Sequence, residues 1–389
     1  TFSGICAMGY SQFTRNAEFL RAHFKGYAEF LIADFKLDCA FDEAIFEGEA
    51  QFSAARVGKN ATFSDAHFQA AALFAMDIEA NANFSRARFD DRAVMIFDCS
   101  GRSYFEDAQF TGVTHFGNSI FGGSVNFVRT QFPKKGPCMR RAFRGARFKD
   151  QVDFSGAGAH WTYGLHGASI ENNILLDDVG PSRADAIAHD YFTMVSKRET
   201  IASLKARATP LEPSVTRETL LLEFEDSCRV LKSAMGRMRN EVLEQRYYRY
   251  QLIARRRQSS APLWERLFSL LYGGFGDYGN SMFRPIAGLV LSVAAFGYMY
   301  FAWSGALGFQ VADGVDNLLE AMKFSLANTF RPLSALDAES NFKGAVGLAL
   351  TSNDWSSFWF KAAAVLQSLF ALSLAFLFGL AVRRRFQMH

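Results

Sequence analysis

Phenylalanine recurs along the first half of the chain at intervals of five and six residues, and this period constrains the fold most. One register places Phe every eleven residues from position 19 to position 74. A second register, five residues further on, runs from 24 to 68, with Val57 in place of one Phe. The pattern slips by one residue, resumes at Phe84 and continues to Phe154, and most of the 41 phenylalanines belong to this half of the chain.

A small residue, usually Ala, precedes most early phenylalanines by two positions, and this spacing decides between helix and strand. Ala17, Ala28 and Ala61 are examples. In a helix, the second Phe register would lie roughly 140° and the Ala positions roughly 160° from the first register, so no single face would collect them. In extended structure residues i and i−2 point to the same side. The sequence therefore predicts short strands whose Ala and Phe side chains share one interior.

A tandem period of this kind indicates a solenoid whose coils stack around a continuous core. The tripeptides A-E-F at 17–19, A-H-F at 22–24 and A-H-F at 66–68 resemble the pentapeptide-repeat family, whose unit is roughly A-(D/N)-(L/F)-x-x. The resemblance covers residues 8–176 and implies a right-handed quadrilateral β-helix, with 22 residues in each coil and about 7 to 8 coils. We assign residues 1–178 to this β-helix, which we expect to be a cytoplasmic scaffold or sensor for an unknown protein or ligand.

Charge and motifs exclude several functions for this half. Residues 1–175 carry 19 acidic and 18 basic side chains, which cannot imitate a DNA backbone with one charge per ~1.7 Å, and no nucleic-acid partner is expected. The five cysteines are widely separated and form no CxxC pair, so we expect free thiols in a reducing compartment and no metal site. No nucleotide-binding, hydrolase or metalloprotease motif is present, so we expect neither enzymatic activity nor a cofactor.

Residues 181–260 have helical composition and are predicted to form a linker. The segment 214–258 contains no Pro and one Gly, so a long helical segment is expected. Its apolar positions follow 4-3-4-3-4 spacing, which is typical of a helix–helix seam. This seam would pack on the β-helix or on a neighbouring helix, or would join copies of the chain beneath a membrane pore. Its members are Phe224, Cys228, Leu231, Met235, Met238 and Val242.

Residues 261–389 contain two apolar runs, at 286–303 and 362–382, each long enough for a ~30 Å hydrocarbon core. Basic residues precede the first run and follow the second, whereas the intervening loop has more acidic than basic side chains. The positive-inside rule then places both chain termini in the cytoplasm. We therefore expect a multi-pass protein of the bacterial inner membrane, with the lipid bilayer as a partner.

A shorter amphipathic stretch, 315–329, lies between the two spans. The order of span, short helix, turn and second span resembles the two-span pore-loop channels that include potassium channels. The resemblance implies a re-entrant pore helix, a homotetramer and permeating ions as partners. The pore candidates are Asn328, Thr329, Phe330, Arg331, Pro332 and Leu333, with Gln367 as a pore-lining candidate on the second span.

The potassium filter sequence T-V-G-Y-G is missing after the short helix, so the resemblance does not extend to ion selectivity. One hypothesis is that Arg331 from each subunit forms a ring that attracts anions. The other hypothesis is that Arg331 pairs with Asp337 or Glu339, or lies at the level of the lipid headgroups. For the whole chain we expect an oligomeric ion channel, and the alternative is a membrane-anchored interaction scaffold without a pore.

Overall fold

The computed structural model describes residues 1–133, 141–157, 164–176, 192–193, 216–279, 281–306, 314–330 and 355–387. The chain divides into two compact units, Thr1–Ala261 and Pro262–His389. The first unit contains a parallel β-solenoid and a helical hairpin, and the second is helical. The Arg331, Pro332 and Leu333 candidates lie outside the described residues, as do residues 181–215 of the predicted helical linker except for Phe192 and Thr193.

The solenoid is built from short strands that pair in parallel into three sheets and make about 7 turns. Most strands are two residues long, because a five- or six-residue step leaves the remaining residues to turn the corner. The described strands are β1 Cys6–Ala7, β2 Gln12–Phe13, β3 Ala17–Glu18, β4 His23–Phe24, β5 Ala28–Glu29, β6 Asp34–Phe35, β7 Cys39–Ala40, β8 Ile45–Phe46, β9 Ala50–Val57, β10 Ala61–Thr62, β11 His67–Phe68, β12 Ala72–Ile78, β13 Ala82–Asn83, β14 Arg88–Phe89, β15 Ala93–Cys99, β16 Ser103–Tyr104, β17 Gln109–Phe110, β18 Thr114–His115, β19 Ile120–Phe121, β20 Val125–Asn126, β21 Arg147–Phe148, β22 Val152–Asp153, β23 Ser169–Ile170 and β24 Ile174–Leu175.

The register of these strands explains both the period and its slip. Early coils pair residues 22 apart, as in Phe46 with Phe68, whereas the next step pairs Phe68 with Phe89, 21 apart. The change occurs where β9 meets β12, because Ser53 pairs with Ala75 and the following pairing residue is Ala55, not Ala54. Left-handed residues such as Glu43, Ala54 and Asp65 recur every eleven positions in the early coils, so Ala54 is a regular corner residue. The following coil has no equivalent residue between Ala75 and Met76, and this missing residue accounts for the slip in the sequence pattern.

The interior consists of the predicted Ala and Phe positions. Ala61, Phe63, Ala66 and Phe68 are fully buried, as expected when i and i−2 face inward. Phenylalanine rings from successive coils stack in columns, with centroid distances of 4.7 Å for Phe46–Phe68 and 4.8 Å for Phe68–Phe89. This distance equals the ~4.8 Å spacing of neighbouring strands, so backbone pairing and ring stacking reinforce one another. The solenoid and its regular Phe spacing are consistent with a pentapeptide repeat.

Two helices, α1 (Arg217–Arg237) and α2 (Glu241–Arg257), form an antiparallel hairpin against the C-terminal coils of the solenoid. Gln258 donates a hydrogen bond to Glu225 of α1 at 2.6 Å, which places the end of α2 beside α1. The guanidinium of Arg141 in the solenoid pairs with the carboxylate of Glu223 in α1 at 2.6 Å, and both side chains are buried. The hairpin therefore covers apolar surface at the end of the solenoid core.

The single helical segment expected over 214–258 is divided by a tight turn. Arg239 has a φ of 56°, and its N–H donates to the carbonyl of Gly236, while the Asn240 N–H donates to that of Met235. This pair of bonds ends a helix by a left-handed turn, for which Gly is the usual residue. The Asn240 side chain then accepts from the Leu243 N–H at 3.1 Å and caps α2.

The predicted helix seam is occupied within the first unit. Phe224, Cys228, Leu231 and Met235 are almost fully buried there, and Met238 is partly buried against the same core. This agrees with packing against the solenoid and the neighbouring helix. The part of the seam that these residues form is not available to a second copy of the chain, which removes the alternative of self-association through it. The sixth member, Val242, is 65% exposed.

The second unit contains α3 (Leu263–Gly276), a helical turn at Asp277–Gly279, α4 (Phe283–Ala306), α5 (Gly314–Phe330) and α6 (Trp355–Gln387). Two segments are long and apolar enough to cross a membrane, Phe283–Trp303 and Phe358–Arg383, with mean hydropathies of 1.7 and 2.2. They contain the two predicted runs. The short helix predicted over 315–329 is present as α5.

Candidate functional site: a buried polar cluster between three helices

Polar side chains meet where α4, α5 and α6 pack together. Ser325, Asn328 and Thr329 follow i, i+3, i+4 spacing and therefore share one face of α5. Gln367 and Ser368 lie on α6 opposite this face. Thr329 is 91% buried, and the other four residues are almost or completely buried. Their burial removes them from solvent, so each polar atom needs a partner inside the unit.

Gln367 lies at the centre of the cluster and uses both ends of its amide. Its Oε1 accepts from the Tyr300 hydroxyl at 2.9 Å and from Asn328 Nδ2 at 3.2 Å. Its Nε2 donates to the carbonyl and hydroxyl oxygens of Ser325 at 3.0 and 2.7 Å, and lies 3.1 Å from Thr329 Oγ1. One side chain therefore joins α6 to both α4 and α5.

Asn328 makes a second connection between α5 and α6. Its Nδ2 donates to the backbone carbonyl of Ala364 at 2.7 Å, and its Oδ1 accepts from the Ser368 hydroxyl at 2.9 Å. Ser325 extends the cluster to α4, because its hydroxyl donates to the carbonyl of Val293 at 2.9 Å. A buried network in which each member is paired fixes the relative position of its helices, since breaking any pair leaves a buried polar atom without a partner.

A cluster of aromatic side chains lies next to the polar cluster and contributes to the packing of the same three helices. The Tyr300 ring packs edge-on against Phe324 at a centroid distance of 5.0 Å and lies 4.9 Å from Phe360. All three rings are fully buried. On the other side, Gly297 of α4 faces Met322 of α5, and an added Cβ would come within 2.4 Å of its sulfur. The C-terminal half of α5 is thus closely packed against the middle of both longer helices.

The structure places the described sequence candidates in two environments. Asn328 and Thr329 are buried in the cluster, whereas Phe330 at the end of α5 is 74% exposed. Gln367 is fully buried, and the exposed residues Leu369 and Phe376 lie on roughly the opposite side of α6, at ~100° per residue. That Gln367 lines a pore stays a prediction. In the structure its hydrogen bonds connect α6 to both α4 and α5.

Sequence reasoning missed Tyr300, Ser325 and Ser368 as members of this site. Their signal was present, because a hydroxyl in an apolar helix requires a partner. The sequence alone does not show which serines pair with another helix. A serine hydroxyl can instead donate to the backbone carbonyl four residues earlier in its own helix, as Ser373 does to Leu369. Comparison of the chain with protein-family models, with curated proteins and with solved structures found no match.

Proposed function

We propose that this protein is an oligomeric membrane ion channel whose pore lies beside the C-terminal end of α5. The observation that carries the proposal is the polar cluster, which holds the end of a short helix against the middle of both candidate spans. The solenoid together with the two helices that could cross a membrane fits a membrane-associated repeat protein. We propose for the solenoid the right-handed quadrilateral coil that the pentapeptide resemblance implies, and a cytoplasmic location.

The depth of the cluster supports a re-entrant α5. Ala364 and Ser368 lie six and ten residues inside Phe358–Arg383, or ~9–15 Å along a helix of 1.5 Å per residue. Val293 lies ten residues inside Phe283–Trp303, or ~15 Å. In a hydrocarbon layer ~30 Å thick, α5 would end near the middle. Chain that leaves a helix at that depth must be buried in protein or line a water-filled cavity, because lipid cannot satisfy its backbone.

A closed ring of subunits supplies such a cavity, since two spans and one short helix cannot surround a pore alone. We propose four copies, by the resemblance to two-span channels. The edge of α6 that continues from Ser368 carries Ala375, seven residues further on. Ala375 is exposed and small, so we assign it to the pore wall in place of Gln367.

Single-channel recording of the full chain in planar bilayers tests this function. The variant Ala375→Cys is suited to it, because Ala375 is exposed and cysteine adds only one sulfur atom to its side chain. A charged thiol reagent should reduce its conductance and leave the matched control Val290→Cys, on the exposed side of α4, unchanged. Burial raises the pKa of the native Cys39 and Cys228 thiols, which keeps them unreactive.

The same recordings address the cluster and the selectivity hypothesis. Gln367→Leu removes four contacts to α5 and one to α4, so open-channel events should become unstable or disappear while the protein still inserts. Arg331→Glu should move the reversal potential in a salt gradient toward the cation value. Correctly inserted protein that conducts no ions and remains monomeric in detergent would contradict the channel and favour the membrane-anchored scaffold.

A further inference from the structure

A groove between α3 and α6 lies outside the polar cluster of the second unit. Its volume is about 470 Å³, within the ~300–1,000 Å³ of ligand sites. We call it the α3–α6 groove. Its walls include Phe268, Leu271 and Tyr272 of α3 and Leu372, Ser373 and Phe376 of α6.

The chemistry of the groove requires an apolar occupant. Phe268 and Phe376 remain 60% and 62% exposed, although both are large aromatic side chains. The Ser373 hydroxyl already donates to the carbonyl of Leu369 at 2.8 Å, so it does not demand a partner from the occupant. Water in such a site would lack the two to four polar partners that hold an ordered water. A hydrocarbon chain covers these rings without losing hydrogen bonds.

The surroundings of the groove identify the source of that chain. The α6 wall belongs to Phe358–Arg383, one of the two segments apolar enough to cross a membrane. Arg383 is exposed and lies seven residues after Phe376, which places it two turns further along the same face of α6. Trp264, 70% exposed near the start of α3, is of the type that sits at the headgroup level.

We propose that the α3–α6 groove binds one acyl chain of an anionic membrane lipid and that Arg383 holds the phosphate of that lipid. An apolar helix from a second copy would cover the same rings but would leave the guanidinium of Arg383 without an anion. The site rests on the groove and on Arg383, and it does not depend on ion conduction.

Native mass spectrometry of the full chain in detergent tests the site, with phosphatidylglycerol and phosphatidylcholine as probes. The wild type should retain one phosphatidylglycerol per chain, with a preference over phosphatidylcholine of about fivefold, the size expected for one arginine at a lipid surface. Ser373→Trp fills the groove and should abolish retention of both lipids. Leu366→Trp, at an exposed position of α6 outside the groove, should bind as the wild type does.

Variants of Arg383 separate the headgroup from the chain without altering the packing of the groove. Arg383→Gln should lose the preference for phosphatidylglycerol but still retain a lipid, and Arg383→Lys should keep the preference. Wild-type lipid binding by Ser373→Trp would overturn the proposal. An unchanged preference in Arg383→Gln would overturn the assignment of the phosphate. A lower oligomeric mass for Ser373→Trp with unchanged lipid binding would show that a second copy occupies the groove.

Discussion

Phe68 lies in the middle of a column of stacked rings, and its replacement measures how much that column stabilises the solenoid. Its side chain is fully buried. The ring stacks on Phe46 at 4.7 Å and on Phe89 at 4.8 Å, and packs edge-on against Phe74 at 5.5 Å. Phe68→Ala therefore removes a core ring together with contacts to the coils before and after it.

The expected loss follows from the packing. Truncating a buried Phe to Ala costs ~3–5 kcal/mol, and each aromatic pair contributes ~0.5–1.5 kcal/mol beyond the buried area. With two stacked partners and one edge-on partner, Phe68→Ala should fall at the upper end, about 5 kcal/mol. Phe2 provides the comparison, because its ring is only partly buried and stacks on the single partner Phe24 at 4.8 Å. We expect Phe2→Ala to cost about half as much or less.

Amide hydrogen exchange of the full chain, read peptide by peptide, is the appropriate assay. A solenoid gains its stability from neighbouring coils, so one replacement should loosen a local block of coils before the whole unit unfolds. Peptides that contain Phe46, Phe68 and Phe89 should lose roughly a thousandfold of protection, the equivalent of ~4–5 kcal/mol. The hairpin Arg217–Arg257 should lose much less. A loss below tenfold at Phe68, or an equal loss for both variants, would refute the argument that the ring column carries the stability.

Three further predictions concern the hairpin and its attachment. Arg239→Gly should stabilise the unit by about 0.5–1 kcal/mol in urea unfolding, since Gly adopts the positive φ without strain, and a loss of stability would contradict this. Glu223→Ala removes one partner of a buried ion pair and should cost ~3–5 kcal/mol, seen as loss of exchange protection in α1; an effect below 1 kcal/mol would mean that the pair contributes little. For Asp226, desolvation raises the carboxyl pKa, but hydrogen bonds from Arg229 and the Gly167 N–H outweigh it and leave the pKa below its ordinary value. Its stabilisation is therefore complete above about pH 4 and is lost as the pH falls through the lowered pKa, and Asp226→Asn should abolish that acid dependence.

The solenoid was predictable from sequence because one physical rule repeats along it. In each repeat, as for Ala66 and Phe68, residues i−2 and i face the same interior. Because many repeats show this spacing, a single exception does not change the prediction. The one-residue slip was visible as a break in the Phe spacing. Its cause was not, because only the register of the neighbouring coils shows that the corner residue equivalent to Ala54 is missing between Ala75 and Met76.

The hairpin shows where local sequence signals are insufficient. A long helical segment was expected because residues 214–258 contain neither Pro nor a glycine at the turn, and Arg is a good helix former. The chain nevertheless reverses at Arg239, because the reversal brings α2 back onto α1 and buries Tyr247 and Tyr250. Tertiary burial of two large rings outweighs the ~1 kcal/mol that a non-glycine left-handed residue costs.

Gln367 illustrates why the polar cluster was only half predictable. An amide in an apolar helix signals that something polar is nearby, and this part of the inference required no structure. Whether that partner is water in a pore or another side chain depends on which face of α6 the amide occupies. The sequence does not specify this face, because α6 is apolar on all sides. Asn328 and Tyr300 are distant in sequence but close in space, and together with Ser325 they occupy both ends of the amide. A side chain whose hydrogen-bonding groups are so engaged has little capacity left for a permeating ion, and the small exposed residue Ala375 on another edge of α6 is the better candidate for the wall of the proposed pore.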